Sequence, residues 1–137
     1  MTKEELQVVI RITRRISKLE ERIIRLKSLR TRITHEISDL PTPTGYQFSR
    51  IEEITVQIDE YERELNELRI ERACLQAELV RLVEECVTDE IGKAIFVERY
   101  AFGKEFQEIA RELSISEPHV YYLHRHGLKE LVSKDNQ

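Results

Sequence analysis

Near the end of the chain, Pro118, Tyr121, Tyr122, Arg125 and Lys129 are spaced so that a helix would carry them on one face. Tyrosine offers a hydroxyl that donates or accepts and a flat apolar ring, while arginine and lysine offer fixed positive charge. No nucleophile constellation accompanies them, no phosphate-binding loop occurs, and the carboxylates read as solvated helix faces, so no enzyme is expected. The chemistry such a stripe supports is recognition. Arginine and lysine suit phosphates or guanine, and tyrosine suits a phosphate, a base edge or the methyl of thymine. Three histidines, His119, His124 and His126, fall in the same stretch. His119 and His124 are five residues apart, an awkward spacing for one metal, so solvent-facing contacts to phosphate are expected. Cys74 and Cys86 lack any Cys-x-x-Cys or Cys-His spacing and read as reduced thiols. No metal and no cofactor are expected.

A stripe of this kind needs a second helix behind it. Val120, Leu123, Gly127 and Leu131 would face inward at steps of three and four, opposite the polar stripe. Upstream, Ile109, Leu113 and Ile115 supply a shared core, and Ala110 is small where two helices would cross closely. Ser114, Ile115 and Ser116 form a turn, with Ser116 capping the second helix, Glu117 complementing its dipole and Pro118 in its first turn. The turn requires a left-handed residue at Ser114, where serine costs about 1 kcal/mol. This arrangement predicts a helix-turn-helix whose second helix enters the major groove of duplex DNA. A preceding helix, capped by Thr88, should run to about Phe102 and close at Gly103.

The rest of the chain is patterned differently. Val9, Ile12, Ile16, Leu19, Ile23, Leu26, Ile33, Ile37 and Leu40 form one run of alternating three- and four-residue steps, broken at Arg30. Ile51, Ile54, Ile58, Tyr61, Leu65, Leu68, Leu75, Leu79, Leu82 and Cys86 form another, broken at Arg72. Each sustains a coiled-coil seam for about five heptads. The core of that seam is Ile16, Leu19, Ile23 and Leu26 against Ile58, Tyr61, Leu65 and Leu68, and it doubles as the expected oligomerisation surface. Arg30 and Arg72 should snorkel toward flanking carboxylates. Pro41, Thr42, Pro43, Thr44 and Gly45 interrupt the runs within a linker at residues 41–48. Ser49 is the expected cap of the second helix, with Glu52 completing a capping box. Residues 4–40 and 49–86 would each be about 55 Å long. Matched lengths and a short link suit an antiparallel hairpin. Charge agrees: residues 1–45 hold ten Lys/Arg against six Asp/Glu, and residues 46–87 hold five against eleven.

The expected architecture is therefore all-α, with a coiled-coil hairpin at residues 1–87 and a DNA-binding domain at residues 88–137. Only four glycines and three prolines occur, too few turn residues for a β-sandwich or barrel. No apolar window is long enough to span a membrane, and the opening Met-Thr-Lys-Glu-Glu-Leu lacks the apolar core of a secretory signal. A cytoplasmic location in a bacterial cell, nucleoid-associated when bound, is expected.

The segment from Phe106 to Leu123, followed by Gly-Leu-Lys-Glu-Leu at residues 127–131, is similar to the sigma-factor domain that reads the −35 promoter element. The whole layout resembles the ArpU/RinA-type late transcriptional regulators of phages and related mobile elements in Gram-positive bacteria. That resemblance implies activation of packaging, structural and lysis genes. It also maps base-contacting positions onto Glu117, Pro118, Tyr121 and Tyr122. Separately, a homodimer joined through the coiled coil is expected, with host RNA polymerase as a further partner. Arginine and glutamine are usual at several of those mapped positions, so a different operator from a −35 element is expected. Alternative readings are a phage small terminase subunit recognising a packaging site and a coiled-coil adaptor that binds RNA polymerase. Ring-shaped oligomers would favour the first, and loss of all DNA retention at low salt the second.

Overall fold

The first helix begins with a reciprocal cap. Thr2 Oγ1 accepts from the Glu5 N–H at 3.2 Å while Glu5 Oε2 accepts from the Thr2 N–H at 3.1 Å. Helix α1 (Lys3–Ser38) follows in the computed structural model, which describes residues 2–42 and 44–135. Pro43, one of the two prolines expected to break the helix, lies outside the described residues. Helix α1 stops at Ser38, short of the expected Leu40, because Pro41 pushes its predecessor off helical dihedrals. Helix α2 (Gly45–Cys86) starts before the expected Ser49. Thr44 and Gln47 explain the difference: the Thr44 N–H donates to Gln47 Oε1 at 2.8 Å, which is half of a capping box. Ser49 lies inside the helix, and the link between helices is correspondingly shorter than residues 41–48.

Residues Arg15–Arg69 form one compact unit. Ile16, Leu19, Ile23, Ile58 and Leu65 are buried within it, together with Ile54, while Leu26, Tyr61 and Leu68 are half-buried. Three ion pairs flank these apolar side chains. Arg15 forks onto Glu64 at 3.1 and 3.2 Å, Lys27 meets Glu62 at 3.0 Å, and Arg69 meets Glu20 at 3.3 Å. All are solvent-washed and only weakly stabilising, so buried aliphatic area supplies most of the association. Arg30 finds no carboxylate of the kind expected, and donates instead to Thr55 Oγ1 at 3.3 Å.

The second unit comprises Met1–Arg14 with Ile70–Gln137, so the division falls inside α1 and α2 rather than between residues 87 and 88. Its main core explains why. Leu6 and Ile10 from α1 and Leu79, Val83 and Cys86 from α2 pack with Val87, Phe96, Tyr100, Ala101 and Leu131. Val83 is fully buried here and Leu82 only half-buried, a one-residue shift from the seam pattern. That turn of α2 packs against later helices as well as α1.

Helix α3 (Glu90–Phe96) is capped by Asp89, whose carboxylate accepts from the Gly92 N–H at 3.2 Å. The expected cap, Thr88, donates instead through its N–H and hydroxyl to Glu130, at 3.3 and 3.2 Å. Helix α3 then widens into a π turn at Val97–Ala101, where an unbroken α-helix was expected. The turn ends near Gly103, at φ 70°, where a Cβ would lie 2.9 Å from the Thr13 side chain. Helix α4 (Phe106–Leu113) is followed by Ser114 in the left-handed region, at φ 57° and ψ 40°. Helix α5 (Glu117–Asp135) completes the chain. Ile95, Ile109, Ala110 and Val120 make a second core, lined by Phe106, Leu113, Ile115 and Leu123. Among the described residues every regular element is helical, and no helix is long and apolar enough to cross a membrane.

Candidate nucleic-acid interface

Three residues separate α4 from α5, and their local chemistry fixes how α5 begins. Ser114 turns the chain, and the Ile115 N–H donates back to the Ala110 carbonyl at 3.0 Å. Ser116 Oγ then accepts from the His119 N–H at 3.3 Å, capping α5. Two small residues let helices approach. Ala110 is buried between α4 and its neighbours, and at Gly127 a Cβ would come within 2.5 Å of the Phe96 ring. Val120, Gly127 and Leu131 are buried and Leu123 half-buried, which directs the opposite face of α5 outward.

That outward face carries all seven residues singled out in the sequence: Glu117, Pro118, His119, Tyr121, Tyr122, Arg125 and Lys129 are exposed. The two tyrosines differ. Tyr121 leans on Phe106, ring centroids 4.8 Å apart, and is 44% exposed. Tyr122 is 60% exposed and stands between the rings of His119 and His126, at 6.5 and 6.4 Å. The three rings form a short column along the helix, with His126 Nδ1 3.0 Å from Glu130. Such a column offers one phenol, two imidazoles and flat apolar faces, with Arg125 close by in sequence.

His124 corrects an expectation. It does not face solvent with the other two histidines. Its ring stacks on Phe96 at 5.1 Å and Tyr100 at 5.6 Å and meets Phe106 edge-on at 5.0 Å. Burial, reinforced by the Arg99 and Lys3 cations, pushes its pKa down to about 4. Residues 120, 124, 127 and 131 follow the core spacing, so the signal was in the sequence, masked by the polar identity of histidine.

The flank formed by α4 has opposite electrostatics. Glu105, Glu108 and Glu112 are exposed, as is Arg111, while the neighbouring Lys104 and Arg99 are committed to local structure. Lys104 bridges Glu98 at 2.6 Å and Glu112 at 2.8 Å, and those carboxylates, Glu112 foremost, hold its pKa above the usual lysine range. Arg99 lies over the Phe106 ring at 4.5 Å, donates to the Lys104 carbonyl at 2.9 Å and sits 3.6 Å from Glu105. Positive charge for an anionic partner here therefore comes chiefly from Arg125 and Lys129 of α5 and Arg111 of α4.

Cys74 is exposed and Cys86 buried, both as free thiols. Among the described residues no three His, Cys, Asp or Glu side chains converge where a metal could be held. No protein-family model, curated protein or solved structure matches the chain.

Proposed function

We propose that α4 and α5 form a helix-turn-helix and that the protein is a sequence-specific regulator of transcription acting on duplex DNA. The observation that carries this reading is the outward face of α5. It presents Tyr122, Arg125 and Lys129 to solvent, on a helix whose entry is fixed by the left-handed Ser114 and the Ser116 cap. Side chains in that setting suit base edges, methyl groups and phosphates. The resemblance to late regulators makes the role activation of packaging, structural and lysis genes of a phage or related mobile element, in the host cytoplasm. In this reading α1 and α2 form an antiparallel hairpin. The cross-helix partners support it: from Glu20 through Lys27 to Arg30 the partners are Arg69, Glu62 and Thr55, so numbers fall along α2 as they rise along α1, with Arg15 reaching along α2 to Glu64. Two copies act together on the operator, with RNA polymerase as the downstream partner.

Selection from a pool of random duplexes, using the full chain, tests the central claim. Enrichment of one shared sequence is expected. A bound pool without sequence bias would sink the reading. Location of that sequence upstream of late genes supports the regulator, and location at a packaging site points to a terminase subunit.

A further inference from the structure

Within the unit Arg15–Arg69, the cations of α1 divide by what they touch. Arg15 and Lys27 pair with Glu64 and Glu62, Arg22 lies over the Tyr61 ring at 5.8 Å, and Arg30 reaches Thr55. These four are absorbed by α2. Lys18, Arg25 and Arg32 remain. All three are exposed, and no ion pair or hydrogen bond among the described residues engages them.

Their spacing is seven residues, and then seven again. Two helical turns return a side chain to nearly the same face, drifting by about 20° per heptad. The three cations thus stand in one line, about 10.5 Å apart. Glu21 and Glu36 are the carboxylates one turn from Arg25 and Arg32, and neither closes an ion pair with them in the structure.

We infer that this line on α1 is a second, sequence-independent contact surface for the sugar–phosphate backbone of duplex DNA. The inference rests on the DNA-binding reading above and adds to it a site outside α4 and α5. Two arguments favour a phosphate backbone. Duplex DNA carries one phosphate per about 1.7 Å of axis, a dense negative charge that a row of unpaired cations complements. Residues 88–137 also hold seven Lys/Arg against nine Asp/Glu, and α4 turns carboxylates outward, so attraction to phosphate beyond that of a few exposed cations such as Arg125 and Lys129 must come from elsewhere in the chain.

The test uses the full chain and a random-sequence duplex of about 20 base pairs, titrated over a range of salt. The triple variant Lys18→Gln, Arg25→Gln, Arg32→Gln replaces only exposed side chains, and a thermal melt checks that it folds like the parent. A second triple, Arg50→Gln, Arg63→Gln, Arg81→Gln, removes equal charge from α2. The expected result is a log–log salt slope shallower by about 2–3 for the α1 variant, and nearly unchanged for the α2 variant. An α1 variant with the parent's slope overturns the inference and leaves the line to solvent or an acidic protein. Equal losses in both variants overturn it too, since net charge would then explain them. If the α1 variant loses slope yet the parent enriches no sequence, the inference stands and specific recognition by α5 falls. If sequence enrichment persists with slopes unchanged, the recognition reading stands alone. Failure of the parent to bind any duplex at low salt removes both.

Discussion

The Tyr100 hydroxyl lies 2.6 Å from His124 Nε2, joining the π turn after α3 to the middle of α5 through a partly buried polar pair. The histidine is held neutral, its pKa pushed down to about 4 by burial and by Arg99 and Lys3. A histidine whose folded pKa is depressed contributes stability that is present above its unfolded value, about 6.5. That contribution is lost as pH falls toward the folded value. Solvent at the half-buried ring reduces the contribution to about 1–2 kcal/mol. Urea unfolding should therefore show a loss of that size between about pH 7 and about pH 4.5. Replacing both partners, Tyr100→Phe with His124→Phe, removes the titrating group without orphaning a hydroxyl. If the double variant still shows the parent's full loss over that interval, other groups are responsible.

Gly127 makes the same junction sensitive to a single methyl. Its missing Cβ would lie 2.5 Å from Phe96, whose ring is fully buried and stacked on Tyr100 and His124. In an open helix Gly→Ala stabilises by about 1 kcal/mol. Here the overpacked ring has no room to retreat, and Gly127→Ala should destabilise by about 1–3 kcal/mol net. A higher melting temperature for this variant would contradict the packing described.

Sharing of core side chains between distant segments makes the C-terminal part dependent on both long helices. A fragment of residues 88–137 keeps Phe96, Tyr100, Ala101 and Leu131 but lacks Leu6, Ile10, Leu79, Val83, Cys86 and Val87. Each large aliphatic lost forfeits about 1.5–3 kcal/mol of burial, against a typical domain stability of about 5–15 kcal/mol. The fragment should be largely unfolded by circular dichroism at room temperature. A cooperative melt matching that of the full chain would show that the shared core is dispensable.

What the sequence disclosed and what it hid follow from how local each signal is. Turn and cap chemistry acts over a few residues, so Ser114, Ser116 and the inward Val120 and Leu131 were readable from spacing alone. The start of α2 was misplaced because Ser49 with Glu52 and Thr44 with Gln47 fit the same capping pattern; the helix takes the earlier one. The heptad runs include Leu79 but pass over Leu6, Ile10 and Val83, and a heptad names no partner, so packing on Phe96 and Leu131 was invisible. The π turn at Val97–Ala101 has no counterpart in helix propensity, since it serves tertiary placement of Tyr100 and Ala101.

The two tyrosines of α5 are adjacent in sequence yet differently engaged, and that difference separates packing from recognition. Tyr121 rests against Phe106 at 4.8 Å, and the Phe106 ring also carries Arg99 at 4.5 Å and the edge of His124. Truncating it uncovers that aromatic group, so Tyr121→Ala should lower stability by about 1 kcal/mol as well as alter the outward surface. Tyr122 stands instead beside the exposed rings of His119 and His126. Tyr122→Ala should leave the urea midpoint within about 0.5 kcal/mol of the parent. Its effect should fall on binding, with a loss of about 1–3 kcal/mol on the selected sequence and less on random duplex. A single gel-shift and unfolding comparison of the two variants checks both halves. Should Tyr122→Ala bind the selected sequence as tightly as the parent, this face of α5 does not read DNA through the tyrosine column. Should it instead melt early, the ring column belongs to the fold and not to recognition.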